Sequence, residues 1–185
     1  MGTFSLGTLI TVPASAAPDL VAPHVLEALV AAGLQDAVGV VEIDPDLSDT
    51  AATEAAYDLE PQMLANCVIV TGKREGDERV AACVVPSTTR ADINNLVKRR
   101  LDVRKASFMS REDAVARSGM EFGAITPMGL PAEWPIYVDA AIALTPLLIV
   151  GSGIRRSKLV IPGDLFARLP GVELVEGLGR PIQTE

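Results

Sequence analysis

The stretch ANCVIVTGKREGDERVAACVVP, residues 65–86, decides the architecture. CVIVTG and RVAACVV are short apolar runs rich in β-branched residues, and the charged KREGDE between them holds the glycine of a turn. The segment therefore reads as a hairpin of adjacent antiparallel strands. A second hairpin, LLIV–GSGIRRS–KLVI, occupies 147–161. Two such connections are not the strict strand–helix–strand alternation of a doubly wound parallel sheet. Helical spacing appears around them. APDLVAPHVLEALVAAGL stops at Gly33, and in DPDLSDTAATEAAYDL either Ser48 or Asp49 can cap a second helix. TRADINNLVKRRLD places Ile93, Leu96, Val97 and Leu101 on one face, SREDAVARSGM runs from a Ser110 cap to Gly119, and PGDLFARL forms a last helix. VGVVEI and PIYVDAAI read as strands, and VELVEG as a final strand or tail. The expected fold class is α/β: a mixed, mostly antiparallel β-sheet flanked by helices, in a single domain over 1–185.

Hydrophobic residues make up 49% of the 185 and aromatic ones 4%, so the core is aliphatic. The formal net charge is −8, which argues against a protein that coats nucleic acid non-specifically, since such binding neutralises phosphates with Lys and Arg. A local basic patch on an acidic body is compatible with that charge. Cys67 and Cys83 lie in apolar runs without CxxC spacing and read as buried free thiols of a reducing compartment, the cytoplasm. The N-terminal MGTFSLGTLITVPASAA has no Lys or Arg before its apolar part, which Gly and Pro interrupt, so it is not read as an export signal. IYVDAAIALTPLLIV is shorter than a membrane span and contains Asp139 and Pro146.

Five features carry candidate chemistry. GMEFGAITPMGL, 119–130, alternates glycine freedom with proline restriction, which suits either a plain turn or a backbone surface shaped to face a ligand. GSGIRRSK, 151–158, begins like a dinucleotide fingerprint, but Arg156 stands where the third glycine belongs and a strand follows. It reads as a hairpin loop, or as one whose Arg155, Arg156 and Lys158 meet an anion. KRRLDVRK, 98–105, is a solvated helix face unless it joins that loop in an anion-binding strip. His24 has no second ligand candidate nearby, so no metal is expected. Asp139, in an apolar strand, needs hydrogen-bond partners; the expectation is a structural role, accepting backbone N–H bonds that fix the Gly/Pro loop.

Together these pieces resemble the YbaK/ProX family of aminoacyl-tRNA editing domains. GAITPMGL resembles the family's GxxxP segment, Gly123 to Pro127, with its following Gly-Leu. PIYVDAAI resembles the strand with an internal Asp, and IVGSGIRRSKLVIPGDLFARL the late hairpin and final helix. ACVVPSTTRADINNLVKRRL and SFMSREDAVARSGM resemble the segments that lead into the loop. The resemblance runs from about residue 50 to 178, leaving 1–49 as an N-terminal helix and strand extension.

The resemblance implies a trans-acting deacylase that hydrolyses the ester of a small mischarged amino acid on the tRNA 3′ end, with help from the substrate's own ribose hydroxyl. It implies no cofactor. Its partners would be that tRNA acceptor end and an aminoacyl-tRNA synthetase. Gly123, Ala124 and Thr126 would contact the oxyanion and the adenosine, with Pro127 fixing the loop. Met128, Gly129, Gly151, Ser152, Gly153, Arg155 and Lys158 would complete the substrate-binding surface, Arg155 and Lys158 meeting phosphate. The family usually carries a lysine at the start of the first hairpin strand; here Asn66 stands at that place, able to donate a hydrogen bond but not a charge. Lys158 would return a positive charge from another direction. Met63, Val68, Val70, Val85 and Met128 are candidates to line the pocket. Two other readings stay open: an editing-like fold that binds a tRNA end, nucleotide or synthetase without hydrolysis, and an unrelated hydrolase using Cys67 or Cys83.

Overall fold

The first hairpin forms, in a computed structural model that describes residues 2–182, as two ten-residue strands, β3 (Ala65–Arg74) and β4 (Asp77–Pro86). Their register runs from Ala65↔Pro86 to Arg74↔Asp77, so the charged residues extend the strands and only Glu75 and Gly76 make the turn. Both turn residues have positive φ, 54° and 98°, which is the geometry that matches strand twist in a two-residue hairpin. Side chains alternate across β4. Val80, Ala82 and Val84 enter one core, and Ala81, Cys83 and Val85 enter another on the opposite face. Burial on both faces explains why the sequence there is a continuous apolar run instead of an alternating one.

Besides two short two-stranded pairs, Ser5–Leu6 with Leu9–Ile10 and Thr89–Ala91 with Gly179–Pro181, the strands divide between two larger sheets rather than forming the single sheet expected. With β1 (Val12–Pro13), β2 (Gly39–Glu42), β5 (Ala106–Phe108), β6 (Ile136–Asp139), β7 (Leu148–Gly151), β8 (Ser157–Ile161) and β9 (Val172–Val175), the orders are β7-β8-β2-β1 and β9-β6-β4-β3-β5. Only the β9–β6 and β6–β4 pairs within these sheets are parallel. A single bridge, Leu64↔Ile149, ties the two sheets where β3 begins. Helices α1 (Pro23–Ala31), α2 (Thr50–Ala56), α3 (Arg111–Ser118) and α4 (Ala140–Leu144) flank them. No helix among the described residues is long and apolar enough to cross a membrane.

Several local signals act as read. The Ser110 hydroxyl accepts from the Asp113 N–H at the start of α3, and Gly119 closes that helix at φ 69°. Asp49 precedes α2, but its side chain accepts no capping bond. Residues 93–100 form a π turn that continues into a short α-helix, with Val97 and Leu101 buried.

Asp139 requires a correction. The strand ends at it, and AAI belongs to α4. One carboxylate oxygen accepts from the Ala141 N–H at 2.9 Å, and the other from the Gly179 N–H at 2.6 Å. It is a helix cap that also pins the C-terminal segment, and neither partner lies in the Gly/Pro loop. Residues before the family-like region are built into the fold. β2 pairs with β8, and Val25, Leu29, Val38 and Val40 join the main core.

Candidate active site

Where β3 begins beside β7, the two sheets leave a cavity of about 420 Å³. Its walls are mainly apolar, from Leu64, Ile69, Met109, Ile125 and Ile149 among others. Polar groups converge on one end: Asp49, Thr50, Asn66, Gly123 and Lys158. An apolar hollow with a few convergent polar groups is the usual form of a small-ligand site.

Lys158 dominates it. β8 is an interior strand whose five residues are all buried, so both its faces are covered, and Lys158 is only 6% exposed. Its amine donates to the Ser48 carbonyl at 2.6 Å and to the Gly123 carbonyl at 3.4 Å. The Ser48 hydroxyl donates to the same Gly123 oxygen at 3.2 Å. Burial pulls the amine down from 10.5 to about 8; Asp49 opposes that shift, and the Arg155 charge adds to it. Lys158 therefore sits under the Gly/Pro loop, inside the cavity, and donates to backbone carbonyls.

Arg155 does not enter the cavity. Its guanidinium donates to the Phe122 carbonyl at 2.9 Å and the Pro45 carbonyl at 2.8 Å, tying the loop to the segment before α2. That clamp joins the two segments that carry the Ser48 and Gly123 carbonyls. Gly123 makes the close approach feasible: its φ is 78°, and a Cβ there would stand 2.9 Å from Arg155 Nη1. Gly151 has the same kind of role, since a Cβ would collide with the Ala124 carbonyl lying over β7.

Asn66 accepts the Thr50 hydroxyl at 2.6 Å through its side-chain oxygen. Its amide nitrogen has no partner among the described residues and lines the cavity as a donor. Of the residues expected at the site, Gly123, Asn66, Gly151 and Lys158 meet there. The others do not. The Ala124 N–H already donates to the Glu121 carbonyl at 3.0 Å, and its carbonyl accepts from Gly153 N. Thr126 is buried against Met120 and Met128, with its N–H directed at the Met120 sulfur. Pro127, Met128 and Gly129 border a separate apolar hollow of about 160 Å³ with Trp134 and Leu169. Ser152 bonds Ser157 within the second hairpin, and Gly153 packs on Ala22. Among the expected wall residues only Val68 lines the cavity; Val70 and Val85 face the opposite core.

The basic 98–105 cluster forms no strip with 155–158. Arg100 pairs with Glu173 and lies over the Tyr137 ring, while Arg156 turns to Asp19 and Glu42. Cys67 lines the cavity and is half-buried, and Cys83 is buried. Burial raises the Cys67 thiol strongly and pushes Cys83 up to about 12, so both stay protonated at neutral pH. Cys83 faces the core on the far side of the sheet. Residues the sequence did not single out for the site are Asp49, Thr50, Phe108, Arg111, Phe122 and Ile125. Their one legible signal was the cluster of small polar residues at 48–50.

No curated protein matches the chain. Solved structures do. A proposed trans-editing enzyme for prolyl tRNA synthetase is 18% identical, with a TM-score of 0.70 over 83% of this chain and 94% of that one. The hypothetical protein APE2540 is 20% identical, with a TM-score of 0.73 over 85% and 99%. At these identities the likeness establishes the fold. A model of the family described as the aminoacyl-tRNA editing domain matches residues 44–169, more than half of the chain. The segments that build the cavity, from Asp49 to Lys158, fall inside that match. The chain belongs to the aminoacyl-tRNA editing domain family.

Proposed function

We propose that this protein is a trans-acting deacylase that hydrolyses the ester between a small amino acid and the 3′-terminal ribose of a mischarged tRNA. The observation that carries the reading is the buried Lys158 amine, held by two backbone carbonyls in an apolar cavity beside the free Asn66 amide. The family match supports the reaction class, and the similar structure described as a proposed trans-editing enzyme supports action in trans.

In this reading the aminoacyl group enters the apolar end of the cavity. Water adds to the ester carbonyl carbon, and the carbonyl oxygen takes the developing negative charge. The Lys158 ammonium and the Asn66 amide stabilise that charge where little water competes. The bond from the carbonyl carbon to the ribose oxygen then breaks, the proton lost by water ends on that oxygen, and the free amino acid and deacylated tRNA leave. Gly123 serves through its carbonyl, which positions Lys158, instead of through an N–H. Arg155 positions the loop. Lys158 thus takes over the charge that Asn66 cannot supply.

The test is a deacylation panel. tRNAs carrying Ala, Ser, Thr, Cys or Pro on cognate and non-cognate bodies are mixed with the wild type, Asn66→Ala and Asn66→Lys, and release of amino acid is followed. The expected result is turnover of a mischarged species by the wild type and a loss of about a hundredfold in Asn66→Ala, which removes one donor. No turnover of any species by the wild type, together with tight binding of the tRNA end, would replace the enzyme with a binding module.

A further inference from the structure

The cavity mouth holds two phenylalanines in an unusual state. Phe108 is 44% exposed and Phe122 39%, although both line the cavity. The remaining phenylalanines behave differently: Phe166 is fully buried and Phe4 packs against a core cluster. Phe108 ends the edge strand β5, and Phe122 lies in the turn before Gly123. Arg111, the first residue of α3, lines the same mouth. Its guanidinium lies over the Phe122 ring, 3.2 Å from the centroid, and makes no ion pair among the described residues. Its acidic neighbour Asp113 is turned to the Ser110 cap, and Asp49, the one carboxylate among the described residues that line the cavity, interacts with Lys158.

We infer that Phe108, Phe122 and Arg111 form a stacking mouth that takes one unpaired nucleobase, with Arg111 meeting the phosphate attached to it. Exposed aromatic faces suit this ligand because every base has a π-face, and stacking needs no base-specific hydrogen bonds. A guanidinium already lying on a ring presents a plane for stacking and a charge for phosphate. An acidic protein with net charge −8 would hold a nucleic acid end mainly through such a local contact. That this base is the terminal one of a tRNA rests on the deacylase reading; the stacking itself does not.

Binding of AMP and of ribose 5-phosphate to the full chain tests the mouth without any turnover. AMP should bind at least about tenfold more tightly than ribose 5-phosphate and shift the ring resonances of Phe108 and Phe122. Phe108→Leu with Phe122→Leu should weaken AMP about tenfold, and Arg111→Gln should weaken AMP and ribose 5-phosphate together. Equal binding of the two ligands by the unaltered protein would overturn the inference, as would AMP affinity unchanged in a folded double variant. Should the double variant not fold, the ligand comparison and the ring shifts on the wild type still decide. AMP held by these rings in a protein inert on every aminoacyl-tRNA would reject the deacylase and keep the mouth. Turnover with AMP indifferent to the rings would do the reverse.

Discussion

Lys158 stands on an interior strand, and the Ser48 and Gly123 carbonyls meet its amine. A charge there is useful to an oxyanion and unfavourable to the fold, and the two effects separate with pH. Above about 8 the amine loses its proton, so the Lys158-dependent part of catalysis should fade. The ratio of the wild-type deacylation rate to that of Lys158→Met should fall by about tenfold from pH 7 to pH 9; a ratio taken at each pH cancels the hydroxide dependence of ester hydrolysis. Stability runs the other way. The unfolded chain, with its lysine near 10.5, binds more protons than the folded one between about 8 and 10.5, so folding gains stability as pH rises through that window. In denaturant titrations Lys158→Met should be as stable as the wild type or more so at pH 7. That advantage should shrink by about 1–3 kcal/mol by pH 10. An advantage that grows with pH would contradict a depressed amine. In the sequence Lys158 was legible as a basic residue after a glycine-rich turn, which suggested phosphate. Its place at the cavity depends on β8 pairing with both β2 and β7, which spans more than a hundred residues of chain.

The hairpins and α3 were legible at the level of elements because their signals are local: Glu75-Gly76, the Ser110 cap and Gly119. α4 was not. An aspartate followed by AAI fits an interrupted strand as well as a capped helix, because apolar residues so few in number carry no decisive period. The difference lies in the Gly179 N–H, forty residues away, which takes the second carboxylate oxygen. Asp139→Ala should therefore lower stability by about 1–3 kcal/mol, through a lost cap and an unpaired, half-buried Gly179 N–H. Deacylation by the folded fraction should be intact, since Asp139 does not line the cavity; thermal melts with activity per folded molecule would check this. The Gly/Pro loop behaves oppositely. Gly123→Val forces a branched side chain to φ 78° against Arg155. Activity should drop by about a hundredfold while the far-UV circular dichroism keeps its native shape, because one of the two carbonyls that orient Lys158 is displaced. A Gly123→Val protein with wild-type turnover would detach the loop from the chemistry.

At the scale of the molecule, the cavity is assembled from segments near 49, 66, 108–114, 122–125, 149–151 and 158. The family resemblance indicated the loop and the hairpins; which of their residues face inward follows from how two sheets meet, which no local pattern records. The N-terminal residues belong to that assembly. β2 covers β8 on the side away from β7, and α1 contributes Val25 and Leu29 to the main core. A chain starting at residue 44, where the family match begins, would expose the edge of the strand that carries Lys158. It should not melt cooperatively; a cooperative transition close to that of the full chain would make the first forty residues an accessory. The central claim is that a buried lysine supplies the charge in an ester-hydrolysing cavity. Single-turnover deacylation of a mischarged tRNA at pH 7 by wild type and Lys158→Met, both verified as folded, tests it most directly. The account predicts a loss of about a hundredfold or more, the scale of removing one oxyanion partner. A variant within about threefold of the wild type would contradict it.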